Sequence, residues 1–189
     1  MALPLEPLLT YLRSQTAELH ALLDARPLAQ AVLDECLDVA GYTELIRWQY
    51  TAHLRAETGL ADFAWPTEYR YHARLPVLQR EQVALPTGVD DGLAAPQSVA
   101  EATGRAYVLC GSALGGNRIL SHLMRTPGLA DFAPFPFYSH LREAGIAEWK
   151  AFTAFAKTRH WTPAEQHQAG EAAIATVRVF AKAGNGSVV

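Results

Sequence analysis

Four residues near the start of the chain fall on one helical arc. At 100° per residue, Arg13, Ala17, His20 and Asp24 lie side by side, next to a leucine stripe made by Leu5, Leu8, Leu9, Leu12, Leu19 and Leu23. The arc offers a cation, a small gap, an imidazole and an acid. An imidazole can act as an axial ligand to a haem iron, a residue as small as Ala17 leaves room for the plane of the ring, and a guanidinium such as Arg13 can meet a propionate. Asp24, one turn on, is spaced to accept from the other ring nitrogen of His20, as outer partners of metal-bound histidines do. A half-exposed histidine on an amphipathic helix satisfies the same spacing with no ligand at all.

The second feature is the glycine-rich run from Tyr107 to Arg118. A glycine inside a helix costs roughly 1 kcal/mol relative to alanine, so Gly111, Gly115 and Gly116 together cost about 3 kcal/mol, which some contact must offset. Gly104, Val108, Gly111 and Gly115 share one helical face and leave a smooth groove where another surface can approach the backbone. A flat porphyrin is one such surface, and a second helix is another. A phosphate loop fits poorly, because no strand precedes the glycines and no Lys-Ser or Lys-Thr follows them.

In this order the two segments resemble those of haem oxygenases. Leu12 to Asp24, with the pattern LR…T…H…D, is similar to that family's proximal helix, and Tyr107 to Asn117 is similar to its distal helix in the GS-x-LG form of bacterial members. Trp149 with Phe152, and Trp161 to Glu165 before the final helix, resemble its C-terminal half, so the likeness spans most of the chain. It implies that His20 is the ligand to the haem iron, that Arg13 lies near a propionate, and that Gly111, Gly115 and Gly116 lie against the distal face of the ring. Ala17, Asp24 and Val108 complete the expected haem-binding set. Mammalian-type members carry an aspartate after the first of these glycines, where this chain has Ser112. Any proton relay is therefore expected to run through water, Ser112 or backbone groups, with Gly111 and Gly115 shaping the reacting face. A second basic position of the family is Ala17 here, which leaves Lys150 and Arg142 as further partners for propionates.

The activity so implied treats haem as both cofactor and substrate: dioxygen and external electrons are consumed, and biliverdin, carbon monoxide and ferrous iron are released. No GxGxxG fingerprint for a flavin or nicotinamide is present, so a ferredoxin or a flavoprotein reductase is the expected electron donor, and a bacteriophytochrome is the kind of photoreceptor that would accept the biliverdin. A haem carrier or sensor on the same fold, without turnover, is the competing reading, and the missing aspartate is compatible with it. A di-iron oxidase needs Glu-x-x-His spacing, whereas Glu18 with His20 and Glu165 with His167 stand two apart and diverge. The other histidines, His53, His72, His122, His140 and His160, read as surface or core residues, with His122 on the groove side.

The elements that must hold these residues are helical, because apolar residues recur at three and four and no stretch alternates long enough for a strand. Helices are expected over about Pro7 to Asp24, Leu28 to Asp38, Gly41 to Gly59, Pro76 to Leu85, Ser98 to Met124 and Tyr138 to Thr158, the fifth interrupted by its glycines. Thr162, Pro163 and Glu165 form a capping-box start for a last helix ending near Ala183, and residues 184 to 189 read as a frayed tail. Trp65 to Arg74 reads as loop-like, Pro86 to Pro96 reads as a surface connection, and Pro134 and Pro136 bracket a short aromatic loop. A length of 189 residues suits one all-α, haem-oxygenase-like domain of about seven to eight helices. A net charge of −3 with 16 scattered Lys and Arg residues carries no nucleic-acid footprint. Two cysteines, Cys36 and Cys110, make neither a disulfide framework nor a zinc site, and neither a signal-like start nor a run of ~20 apolar residues appears, so a cytoplasmic location is expected.

Overall fold

The computed structural model describes residues 6–87 and 92–184, so Leu5, the middle of the Pro86 to Pro96 connection and residues 185–189 of the expected tail lie outside the described residues. Among the described residues there is no strand; eight α-helices and two 3-10 turns follow one another. They are α1 (Leu8–Asp24), α2 (Pro27–Leu33), α3 (Val39–Ala56), α4 (Leu75–Leu78), α5 (Val99–Gly111), α6 (Gly116–Arg125), α7 (Pro136–Thr158) and α8 (Pro163–Ala183), with turns at Ser112–Gly115 and Pro127–Phe132. None of the described helices is long and apolar enough to cross a membrane.

Helix α8 is the spine, with α5, α1 and α3 packed along it. Its start is the expected capping box: the Thr162 hydroxyl accepts from the Glu165 amide at 3.2 Å, and the Glu165 carboxylate accepts from the Thr162 amide at 2.9 Å. The α5/α8 seam is lined by small residues, Ala102 and Ala106 against Ala169 and Ala173, all fully buried. Gly104 is what lets the seam close, since a Cβ there would run into the Ala169 carbonyl. In the same way Gly170 of α8 lies under the Tyr11 ring of α1, where a Cβ would meet that ring at 2.9 Å. A second cluster joins Tyr42, Leu45 and Ile46 of α3 to Leu120 and Leu123 of α6 and to Phe137, Tyr138 and Leu141 of α7.

Three expected helices differ. The second stops at Leu33 rather than Asp38, because Glu35 takes a left-handed turn (φ 55°) and Asp38 instead caps α3, accepting from the Gly41 amide at 2.7 Å. The segment from Pro76 to Leu85 is helical for one turn only. Beyond it the buried Glu81 carboxylate accepts from the Tyr42 hydroxyl and from the Phe137 amide, both at 2.7 Å, so a long-range tether replaces local helix bonds. The long helix from Ser98 to Met124 breaks into α5, the Ser112–Gly115 turn and α6.

The tight α5/α8 seam predicts that Gly104→Ala lowers unfolding stability by roughly 1–3 kcal/mol, the usual cost of overpacking. Denaturant unfolding measures this directly, and an unchanged midpoint would contradict the seam as described.

Candidate functional site

Helices α1 and α5 both lie against α8 but part where their polar and glycine residues face each other. Arg13, Thr16, Ala17 and His20 line this gap from α1, and Tyr107, Val108 and Gly111 line it from α5. Leu114 of the 3-10 turn and Trp149 of α7 complete the lining of this half-open slot of about 420 Å³, a volume usual for small-molecule sites. Arg13, Ala17, His20, Val108 and Gly111, expected together, do meet.

His20 stands at the exposed edge of the slot and its ring makes no hydrogen bond to any described residue. Burial by the surrounding protein lowers its pKa below 6.5, against the charge of Asp24, which raises it. The neutral ring, with a free lone pair, is thus the form present at pH 7. Asp24 acts on His20 through charge and not, as expected from spacing, through a hydrogen bond; it is exposed at the end of α1. Opposite, burial raises the Tyr107 hydroxyl above its ordinary range, while Thr16 and the positive charge of Arg13 draw it back. Tyr107 therefore remains a protonated donor beside a permanent cation.

The glycines divide into two kinds. Gly104 and Gly116 serve helix packing: a Cβ on Gly116 would lie 2.6 Å from the Leu141 Cβ of α7, so Gly116 is buried under α7 and forms no part of the slot wall. Gly111 and Gly115 have no such cause. A Cβ on Gly111 would meet only the Trp149 ring, at an ordinary 3.6 Å, and one on Gly115 would meet nothing within 4 Å. Gly115 directly follows Leu114, whose side chain lines the slot.

Ser112 is turned away from the slot. Its hydroxyl donates to the Leu109 carbonyl at 2.8 Å and accepts from Arg74 Nη1 at 3.4 Å. The last turn of a helix leaves carbonyls without intrahelical partners, and the Leu109 oxygen claims this hydroxyl. His122 is buried in α6, not on the groove side, and Lys150 and Arg142 are exposed on α7 outside the slot lining. Sequence reasoning passed over Thr16, Tyr107, Leu114 and Trp149 as lining residues. Tyr107 was within reach of it, standing one turn before Gly111 on the same face; Trp149 was not, because only the packing of α7 brings it there.

Behind α5 runs a buried polar network. Glu57 pairs with His53 Nδ1 at 2.8 Å and accepts from the Tyr71 hydroxyl at 2.8 Å and the Arg74 amide at 3.0 Å. Burial raises the Glu57 pKa, but these hydrogen bonds outweigh it and hold the carboxyl below its ordinary value. Among the described residues no group of three or more His, Cys, Asp or Glu side chains is arranged to hold a metal ion.

No protein-family model matches the chain, and no curated protein matches it in sequence. Among solved structures it is similar to the haem oxygenase of Neisseria meningitidis, determined with NO and CO bound, at a TM-score of 0.67 and 16% sequence identity, over 97% of this chain and 95% of that one. The all-α architecture is therefore the haem-oxygenase fold.

The adjacent Gly115 and Gly116 predict opposite responses to one methyl group. Gly115→Ala should leave stability unchanged or raise it by about 0.4–1 kcal/mol, as for a glycine in a conformation any residue can adopt. Gly116→Ala should lower it by roughly 1–3 kcal/mol through the clash with Leu141. Thermal unfolding of the two variants separates them, and equal effects would contradict the division.

Proposed function

We propose that this protein binds haem in the slot and cleaves it oxidatively to biliverdin, carbon monoxide and ferrous iron. The observation that carries the reading is an unpartnered, neutral imidazole facing, across a gap of small-molecule size, a wall whose glycine Gly111 no close packing contact explains. The fold shared with a haem oxygenase supports the same reading.

The residues present fit the group. His20 would hold the iron through its ring nitrogen, Ala17 and Val108 offer low apolar faces to the ring, and Arg13 with the Tyr107 hydroxyl forms a cationic, hydrogen-bonding corner suited to a propionate. Bound haem would supply both the redox-active metal and the carbon framework that is opened. The chain's own contribution is steering. Trp149 and Leu114 add apolar surface to the lining, while Gly111 keeps side chains off the wall, so that a small oxidant would be confined close to the ring. Among the described residues no histidine or arginine lines the wall opposite His20, which would disfavour O–O cleavage in the peroxidase manner. Electrons would come from a ferredoxin or flavoprotein reductase, and a bacteriophytochrome is a suitable acceptor of the product.

One observation favours the second reading, a haem carrier or sensor without turnover. The Ser112 hydroxyl is engaged by Leu109 and Arg74, and among the described residues no carboxylate lines the slot, so protons would have to arrive by way of water.

Haem titration should give a stoichiometric Soret band, and His20→Ala should weaken binding roughly 100-fold, as expected for loss of a metal ligand. Affinity should be flat at neutral pH and fall as the pH drops through the lowered pKa of His20, because the protonated ring has no lone pair to give. Single-turnover reaction with ascorbate then distinguishes the two readings: biliverdin absorption replaces the Soret band in an oxygenase, and a persistent Soret band marks a carrier. Gly111→Leu should redirect or abolish ring opening, and unchanged biliverdin output would count against the steering role of the wall.

A further inference from the structure

We propose that Arg74 is a positioning residue for this site, holding the Gly111 wall from behind the helix that carries it. The inference rests on the haem reading for its effect on turnover, but not for its effect on the wall.

Arg74 lies in the connection before α4, and its side chain is fully buried. A guanidinium removed from water is costly unless its donors find acceptors, and well-packed apolar residues often replace such groups with no loss of stability. Arg74 spreads its donors over the place where α5 breaks. Nη1 donates to the Leu109 carbonyl and to Ser112 Oγ, and Nη2 donates to Glu148 Oε2 at 3.0 Å. Leu109 and Ser112 stand on either side of Gly111, so the contacts bracket the one glycine that lines the slot among the described residues. Glu148 directly precedes Trp149, which lines the slot and is the nearest neighbour of a Cβ placed on Gly111. One side chain thus ties together both elements of this wall, the end of α5 and the tryptophan of α7.

The guanidinium is in turn held from its own side. Glu57 accepts from the Arg74 amide at 3.0 Å and 3.1 Å and from the Leu75 amide at 3.1 Å. On the far side Glu148 Oε1 faces His140 Nε2 at 3.4 Å. A 3-10 stretch between two helices is a natural place for the backbone to yield. With Arg74 in place, the carbonyl left over at the end of α5 has a fixed, charge-assisted partner instead of exchanging between water and the next amide. Lysine cannot do the same, because an ammonium lacks the planar fork that reaches Leu109, Ser112 and Glu148 at once.

The test uses Arg74→Lys and, should that variant fail to fold, Glu148→Gln, which keeps an acceptor but removes the charge. Amide hydrogen exchange on the haem-free protein should speed up about tenfold or more over residues 112–116, with α8 unchanged, as expected when one local tether is lost. In the haem-loaded protein, affinity and the Soret position should hold to within about threefold while the rate of ring opening falls about tenfold or more, the signature of misplacement rather than lost binding. Unchanged exchange at 112–116, a uniform rise across all helices, or turnover falling only in step with affinity each overturns the proposal. If the wild-type protein takes up no haem, it is the haem reading that fails, and the exchange result alone then decides whether Arg74 holds the wall.

Discussion

The close approach of α5 to α8 is the constraint on which the site depends. Gly104 carries no side chain at the point where the Ala169 carbonyl comes nearest, and Ala102, Ala106 and Ala173 keep the rest of the seam narrow. Helix α1 is set against the same spine by Leu8 and Leu12 and by the seating of Tyr11 over Gly170. The slot is the space left between two helices that each pack on a third. Its width follows from side-chain sizes along α8 and from the contact of Thr16 with Tyr107 across it, and Trp149 of α7 adds to its lining.

The two sides of α5 carry different physics. Toward α1 it shows Val108, Gly111 and the edge of Tyr107, a low surface with one hydroxyl beside Arg13. Away from α1 it meets a dense set of charged and polar groups: Arg74 and Glu148, with Glu57, Tyr71 and His53 behind them. Ionic groups are costly to bury singly, and here they pair with one another and with the loose carbonyl of Leu109, although Arg74 Nε and His53 Nε2 keep no partner among the described residues. Ser112, lying where the two sides meet, is drawn into the polar one. The slot keeps few polar groups of its own, namely His20, Arg13, Thr16 and Tyr107.

What the sequence revealed and what it hid follow from the range of the forces involved. The arc of Arg13, Ala17 and His20, and the pairing of Val108 with Gly111, are consequences of helical pitch, so spacing alone was enough to find them. The capping box at Thr162 is equally local. Gly115 and Gly116 look alike in a sequence, and only the position of Leu141 separates them. The end of helix formation after Leu78 depends on Glu81 reaching Tyr42 and Phe137, partners far away along the chain. Ser112 appeared able to serve the slot because its competitor, an unpaired carbonyl three residues earlier, exists only where the helix breaks.

The two walls also differ in how firmly they are anchored. Nine of the thirteen residues of α5 are buried, against three of the seventeen in α1. A load placed on the slot therefore meets less resistance from α1, few of whose side chains are enclosed by neighbours, than from α5. The wall that carries Gly111 is in this way the fixed reference against which the width of the slot is set.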